Sequence, residues 1–276
     1  MNKKYDNTQI INLHSQGLSD REIAEIIGCT PNQMAKKRKR LGLLPNNKKE
    51  SYKLTNEELA IVIGTLLGDA CIKYVHGGCT APNLQFSHCI QQKEYFLYKK
   101  DKLINLMSSF GSYIKKDYFH PGRYREIYQY TGRNLDCLIP IRNMFYLNNI
   151  KILPIDYLKE HLTEESLYYW FMDDGCLDSS NNSYKISTEC FDKDNLKDFV
   201  NLLKEKFGLE FTIKSDRELY LRHKCNKNFT DILNKYNCCE TMNYKILSSC
   251  HKTPLNGETP KMDNPVLNLQ ETEDNA

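Results

Sequence analysis

Leu54-Thr55-Asn56-Glu57-Glu58-Leu59, running on to Gly64-Thr65-Leu66-Leu67-Gly68-Asp69-Ala70, and Leu162-Thr163-Glu164-Glu165-Ser166-Leu167, running on to Trp170-Phe171-Met172-Asp173-Asp174-Gly175, are one device written twice. Each reads as an apolar helix that ends on an acid followed by a small residue. A carboxylate at a helix C-terminus stands against the negative end of the macrodipole. An aspartate placed there twice therefore calls for a cation. The repetition points to a metal-dependent site on a two-fold pseudo-axis.

The first of these helices carries a second signal. Thr55 and Glu58 form a capping box that fixes its start. Ala60, Gly64 and Gly68 recur every four residues and so share one face. Glycine inside a helix costs about 1 kcal/mol relative to alanine, so two of them need a packing reason, and close approach of a second helix is one. If the partner is the second motif helix, Asp69 and Asp174 arrive side by side. Adjacent carboxylates repel unless a proton or a divalent cation sits between them. Oxygen donors alone favour Mg²⁺, or Mn²⁺ in its place, with several waters retained and phosphate oxygens as further ligands. In outline this is a site for phosphodiester cleavage.

Outward from the two motifs the chain repeats itself. After the first motif helix (56–69) come strand signals at 83–90, a helix at 92–109, strands at 112–119 and 124–131, and a helix at 133–147. After the second (164–174) come a strand at 184–190, a helix at 192–207, strands at 209–215 and 218–223, and a helix at 226–236. Each half closes on a matching phrase, Asn149-Ile150-Lys151-Ile152-Leu153-Pro154 and Asn243-Tyr244-Lys245-Ile246-Leu247-Ser248. The expected fold is α+β, a duplicated helix-strand-strand-helix-strand-strand-helix core with halves at 54–154 and 155–252.

A small all-α domain is expected at 1–45. Ile10, Ile11 and Leu13 suggest a first helix closed by Gly17. Ser19 and Glu22 form a capping box for a second, whose buried face is Ile23, Ala24, Ile26 and Ile27. Gly28 makes the turn, and Thr30-Pro31 starts a third helix. That third helix carries Asn32, Gln33, Lys36, Lys37, Arg38, Lys39 and Arg40. Amides near its start can read base edges and the basic run can neutralise phosphates, as in a helix-turn-helix DNA-binding domain. Residues 46–53 read as a polar linker and 253–276 as a loosely ordered acidic tail.

Charge agrees with this division. Residues 1–50 hold ten Lys/Arg against five Asp/Glu, and residues 253–276 hold one lysine against five acids, so of the total +3 the head contributes +5 and the tail −4. A basic head fits nucleic-acid contact. No apolar run approaches a membrane span, and the start leads into no signal-peptide core. Eleven cysteines without a CxxC pair fit a reduced, intracellular protein of the cytoplasm, nucleoid or an organelle matrix, not a secreted one. A zinc site from His223, Cys225, Cys238 and Cys239 is a weaker reading, since its spacing fits no common template.

The motif pair Val62-Ile63-Gly64-Thr65-Leu66-Leu67-Gly68-Asp69-Ala70 and Leu167-Tyr168-Tyr169-Trp170-Phe171-Met172-Asp173-Asp174-Gly175 resembles the paired motifs of the LAGLIDADG homing endonucleases, most nearly the single-chain, intron-encoded type. The resemblance spans residues 54–250. It implies a monomeric, site-specific double-strand DNA endonuclease that hydrolyses both strands of a long asymmetric target. It implies Asp69 and Asp174 as metal-binding acids, with the backbone carbonyls of Gly68 and Asp173 completing the shell. Lys151 and Lys245 become the basic residues beside the scissile phosphates, where they would stabilise developing charge. Strand residues of each half would enter the major groove: Lys73, Gln85, Ser87, His88, Lys115, Arg123 and Arg125 in the first, Lys185, Ser187, Glu189, Lys214, Arg217 and Arg222 in the second. Relatives of this fold also act as intron maturases, with intron RNA as a partner, or as transcription regulators that bind without cutting. That is the rival reading.

Two departures from the family pattern stand out. Tyr169 occupies the place in the second helix that Gly64 holds in the first. Asp173 adds a carboxylate, which reads as a helix-end acid hydrogen-bonded to a loop in preference to the alternative, a direct side-chain ligand of the metal.

Overall fold

A computed structural model describes residues 5–43, 46, 52–75, 80–116, 122–178 and 180–247. The expected acidic tail at 253–276, most of the linker and the end of the strand expected at 112–119 lie outside the described residues. The chain divides into two units, Met1–Tyr52 and Lys53–Ala276.

The first unit holds three helices, α1 (Asn7–Ser15), α2 (Asp20–Ile27) and α3 (Pro31–Arg40). Both expected starts are built as capping boxes, Ser19 with Glu22 and Thr30 with Gln33. Gly28 ends α2 at φ 76°, a left-handed conformation that favours glycine. Ile10, Ile23, Ala24 and Met34 close the core. Ile26, expected on the buried face, is 54% exposed. The helical period places only one of two consecutive isoleucines inward, and Ile27 takes that place. Arg38 turns away from the basic face: its guanidinium donates to Asp20 at 2.8 Å and to the Leu43 carbonyl at 2.7 Å.

The second unit begins with α4 (Asn56–Leu67), β1 (Cys71–Lys73), β2 (Asn83–Cys89), α5 (Lys93–Lys102), β3 (Met107–Lys116), β4 (Tyr124–Gly132) and α6 (Leu138–Phe145). The short strands β5 (Tyr146–Leu147) and β6 (Ile150–Lys151) and helix α7 (Ile155–His161) follow. The second half is α8 (Glu164–Asp174), β7 (Gly175–Asp178), β8 (Ser183–Ile186), α9 (Lys193–Phe207), β9 (Phe211–Ile213), β10 (Leu219–Leu221) and α10 (Asn226–Tyr236). Its last turn is a 3₁₀ segment, Glu240–Lys245. The two four-stranded sheets share one antiparallel order, β1-β2-β4-β3 and β7-β8-β10-β9. The duplication expected from the two motifs is thus a duplication of topology.

Some boundaries move. The helix expected to 109 ends at Lys102, because Ser108, Ser109 and Gly111 favour leaving a helix and Met107 already begins β3. The strand expected over 184–190 ends at Ile186, and the Thr188 hydroxyl then donates to the Arg217 carbonyl. The strands β1 and β7, directly after the motif acids, carry no clear sequence signal.

The motif helices α4 and α8 pack on each other along the small face. A Cβ built on Gly64 would lie 2.3 Å from the Ser166 carbonyl oxygen and 2.8 Å from the Tyr169 Cβ. One on Gly68 would lie 2.6 Å from the Asp173 Cβ. Backbone therefore meets backbone, and the small residue of α8 at the seam is the buried Ser166. Ala60, Ile63, Leu67, Leu167, Tyr168 and Met172 are buried with it.

Candidate active site at the helix junction

Asp69 lies just past the end of α4 and Asp174 is the last residue of α8, so the seam delivers both acids to one junction. Burial, followed by the charges of Asp69 and Asp173, pushes the Asp174 carboxyl up to about 7. Asp69 is raised as well, by burial first and Asp173 second, although its side chain is 46% exposed. Two carboxylates that resist ionisation beside each other are what a divalent cation relieves.

Lys151 and Lys245 occupy matched places. The Lys151 Nζ donates to the carbonyls of Gly68 and Ala70, each at 2.9 Å. The Lys245 Nζ donates to the carbonyls of Met172 at 2.7 Å and Asp173 at 3.3 Å. Each lysine therefore caps the C-terminal end of one motif helix, where carbonyls lack helical partners and the dipole favours a cation. Burial pulls both ammonium groups below the ordinary lysine value. The Gly68 and Asp173 carbonyls, expected in a metal shell, each already accept a lysine. A carbonyl keeps a second lone pair, so one further partner remains available to each.

Asp173 differs from its expectation. Its side chain meets no loop; it is fully buried and reaches across the seam into the first half. Tyr95 Oη donates to its Oδ1 at 2.8 Å, and Lys99 Nζ donates to Oδ1 at 2.9 Å and Oδ2 at 3.1 Å. The Thr65 hydroxyl donates to Oδ2. Lys99 also donates to Thr65 Oγ1 at 2.8 Å and stands 4.6 Å from the ring centres of both Phe86 and Tyr95. Although burial opposes the charge, Lys99 and the hydrogen bonds hold the Asp173 carboxyl below its ordinary value. Sequence reading missed Lys99, Tyr95 and Thr65. Lys99 was legible in principle, since it interrupts an apolar stripe formed with Tyr95, Phe96 and Leu103 at helical spacing.

His88 is a correction. It is 2% exposed and lies against Phe86, Phe96 and Tyr95, so it cannot reach a groove. The cause is the strand period of two: Ser87 faces out, so its neighbour faces in. Burial and the Lys99 charge lower His88 to about 3, which keeps the ring neutral at ordinary pH. Its Nδ1 meets Gln92 Oε1 at 3.1 Å and stands 3.8 Å from Asp69 Oδ2. Its Nε2 has no hydrogen-bond partner and stands 3.7 Å from Asp173 Oδ1. Among the described residues, Asp69, His88 and Asp173 form the group whose donor atoms lie within 4.8 Å of one another. His223, Cys225, Cys238 and Cys239 do not gather into such a group: Cys225 Sγ is turned to the Gly208 carbonyl, while Cys238 Sγ meets the Tyr168 hydroxyl.

The remaining strand residues sort by face. The register pairs Cys71 with Gln85, Ser87 with Gln129, Gln129 with Gly111, and Arg125 with Lys115. Residues directly opposite share a face, so Lys73, Gln85, Ser87, Lys115 and Arg125 stand together on the outer face of the first sheet. Arg123 is exposed just before β4. In the second sheet Lys185 lies on the outer face opposite Cys176 and Tyr220, with its ammonium 3.2 Å from Glu218. Ser187 and Glu189 follow the end of β8. Lys214 and Arg222 are exposed just beyond the strand ends, and Arg222 lies 3.6 Å from Glu210. Arg217 adopts φ 71° in a turn, and its guanidinium donates to the Phe191 carbonyl at 3.2 Å, which braces the loop.

On α3, Asn32, Lys36 and Arg40 are exposed and Lys37 is half-buried. Gln33 is exposed, but its Oε1 is engaged by the Thr30 N–H at 3.0 Å, so its amide nitrogen is the end left for other contacts.

The chain is similar to known proteins. The sequence profile described as the LAGLIDADG DNA endonuclease family matches residues 59–232. An uncharacterised protein of Methanocaldococcus jannaschii is 31% identical over 223 residues, covering 75% of this chain and 81% of its own. The probable intron-encoded endonuclease 1 of Wickerhamomyces canadensis is 27% identical over 239 residues, covering 78% and 97%. Among solved structures, the homing endonuclease I-WcaI bound to its DNA recognition sequence superposes with a TM-score of 0.64 at 25% identity, over 76% of this chain and 97% of that one.

Proposed function

The chain belongs to the LAGLIDADG DNA endonuclease family, and on that footing we propose that it is a monomeric, site-specific endonuclease that cuts both strands of a long, asymmetric DNA target. The observation that carries this reading is the junction itself. Two helices of a duplicated fold meet backbone to backbone and deliver Asp69 and Asp174 together, each with a lysine in the matched position, half-buried Lys151 on one side and buried Lys245 on the other.

The donor set fits a hard divalent cation. Two carboxylates with raised affinity for a proton stand at one place, and Mg²⁺ or Mn²⁺ would be held by Asp69 and Asp174. When bound, such an ion supplies Lewis acidity and an activated water for phosphodiester hydrolysis. The residues of the chain do the rest. Both acids would bind the ion as carboxylates, so the proton that Asp174 holds below about pH 7 would be released. Lys151 and Lys245 bring one positive charge to each helix end, where each ammonium would stabilise charge building on a phosphate oxygen. The outer sheet faces, with Lys73, Gln85, Ser87, Lys115 and Arg125 on one and Lys185 on the other, would lie along the two half-sites. The exposed basic face of α3 would add phosphate contacts as a helix-turn-helix domain.

The test is cleavage of plasmid DNA carrying the intronless form of the insertion locus, with and without Mg²⁺. A linear product that requires Mg²⁺ and vanishes in Asp69→Asn and Asp174→Asn, with DNA binding kept, is the expected result. Tight binding with intact DNA in the unmodified protein would move the chain to the maturase or regulator class. Loss of binding in the variants would make the two acids structural.

A further inference from the structure

The two halves depart from their own symmetry at one place. Cys71 pairs with Gln85 in the first sheet and Cys176 pairs with Lys185 in the second, each two residues after a motif acid. Residues 85 and 185 therefore correspond, and the same offset of 100 carries Lys99 to Phe199 and Leu103 to Leu203, all fully buried. In the motifs, Thr65 corresponds to Trp170 and Gly68 to Asp173. In the second half these positions are an aromatic pair, with Trp170 and Phe199 ring centres 5.2 Å apart. In the first half they are Thr65 and Lys99, hydrogen-bonded to each other at 2.8 Å and both bound to the Asp173 carboxylate.

The direction of that contact matters. Asp173 belongs to the second half, and every side chain that holds its carboxylate belongs to the first. It can cross only because its counterpart is glycine: the Asp173 Cβ sits where a Gly68 side chain would begin. The Tyr95 hydroxyl also lies 3.3 Å from the Tyr169 carbonyl, a second tie between the halves. Asp173 immediately precedes Asp174, and Thr65 is one turn before Asp69. The hydrogen bond from the Thr65 hydroxyl to Asp173 therefore ties the two motif helices together within one turn of both acids.

We propose that Lys99 and Asp173 form a latch across the pseudo-axis, a positioning pair that sets the spacing of Asp69 and Asp174 and so couples the two strand cuts. The inference rests on the reading of those two acids as the metal-holding pair. Asp173 is then a carboxylate withdrawn from the metal: its two oxygens are taken by first-half donors. The asymmetry follows from function, since one latch is enough to fix one spacing, and the second half is free to fill the equivalent volume with Trp170 and Phe199.

Removing Lys99 alone strands a buried charge and threatens the fold. The informative variant is Lys99→Met combined with Asp173→Asn, which removes both charges at nearly constant volume. Full-length protein is compared with the unmodified chain in three measurements: melting temperature, Mn²⁺ affinity by calorimetry, and the time course of nicked and linear plasmid. The expected result is a melting temperature and DNA affinity near those of the unmodified chain, with Mn²⁺ bound about tenfold more weakly. Cutting falls by about a hundredfold, the scale of a misplaced reacting group, and nicked circles accumulate because the two cuts no longer keep pace. Unchanged Mn²⁺ affinity with an unchanged nicked-to-linear ratio overturns the latch. So does a variant that melts far below the unmodified chain, since the pair would then hold the fold and not the spacing. If the unmodified chain leaves DNA intact, the endonuclease reading has failed, and the Mn²⁺ titration alone decides: weaker binding in the variant supports the latch and equal binding overturns it. An unmodified chain that takes up no Mn²⁺ also overturns it, because no centre is there to be spaced.

Discussion

Asp174 carries a proton to unusually high pH, and this ties the stability of the fold to the protonation of one residue. In an unfolded chain its carboxyl returns to an ordinary 3.8, whereas in the fold it lies at about 7. Between those values the folded chain binds more protons than the unfolded one, so this group makes stability fall as pH rises. Metal-free protein is expected to lose melting temperature from pH 5 to pH 8, and Asp174→Asn to lose less. Calorimetry in a chelator checks this, and an equal pH slope in both proteins would contradict it. The residues at the junction also show what a single chain reveals. Asp69 with Asp174, and Lys151 with Lys245, could be singled out because each pair holds matched positions in a repeated phrase. The position of Lys99 in an apolar stripe was visible, but its role and that of Tyr95 were not, because the partner that explains them, Asp173, lies 74 and 78 residues away. His88 was misread for a local reason. Adjacent strand residues face opposite ways, so it could not share the outer face with Ser87.

The motif helices are held by proximity, and Gly64 is where this can be tested. Alanine would gain about 1 kcal/mol of helix propensity. Its Cβ, however, would stand 2.3 Å from the Ser166 carbonyl oxygen, a backbone atom that cannot rotate away. Overpacking of this kind costs about 1–3 kcal/mol and sometimes more. The clash therefore exceeds the propensity gain, and Gly64→Ala is expected to melt several degrees lower in a thermal scan. An unchanged or raised melting temperature would mean that the helices part without penalty. At this scale the sequence was most readable: the capping box at Thr55 announced the first helix start and is formed, and the second helix starts on a box of Thr163 with Ser166 that its sequence had not been read to hold. The ends of α5 and β8 were less so, since they depend on tertiary ties such as Thr188 to Arg217.

Across the whole molecule, the proposed function would be divided between the two units. The unit Met1–Tyr52 lies outside the matched family segment 59–232 and presents the exposed Asn32, Lys36 and Arg40 on one helix. Deleting residues 1–45 is expected to weaken DNA affinity and flatten its dependence on salt, while cutting is retained. Neutralising fewer phosphates releases fewer counterions. A salt slope equal to that of the full chain would remove the DNA-binding role from this unit. The duplicated topology was legible from the two motifs and the two closing phrases, but the unequal size of the arms was not, because strand length is set by pairing across the sheet. The strands β3 and β4 run for ten and nine residues, their counterparts β9 and β10 for three each. At about 3.3 Å per residue, the longer ribbon matches about one turn of B-DNA, which rises about 34 Å, and the shorter about a third of one. The two ends of a recognised stretch would then differ in information content. A host lineage could accumulate silent changes under the short arm and remain susceptible to invasion, while escape would be written almost entirely under the long one.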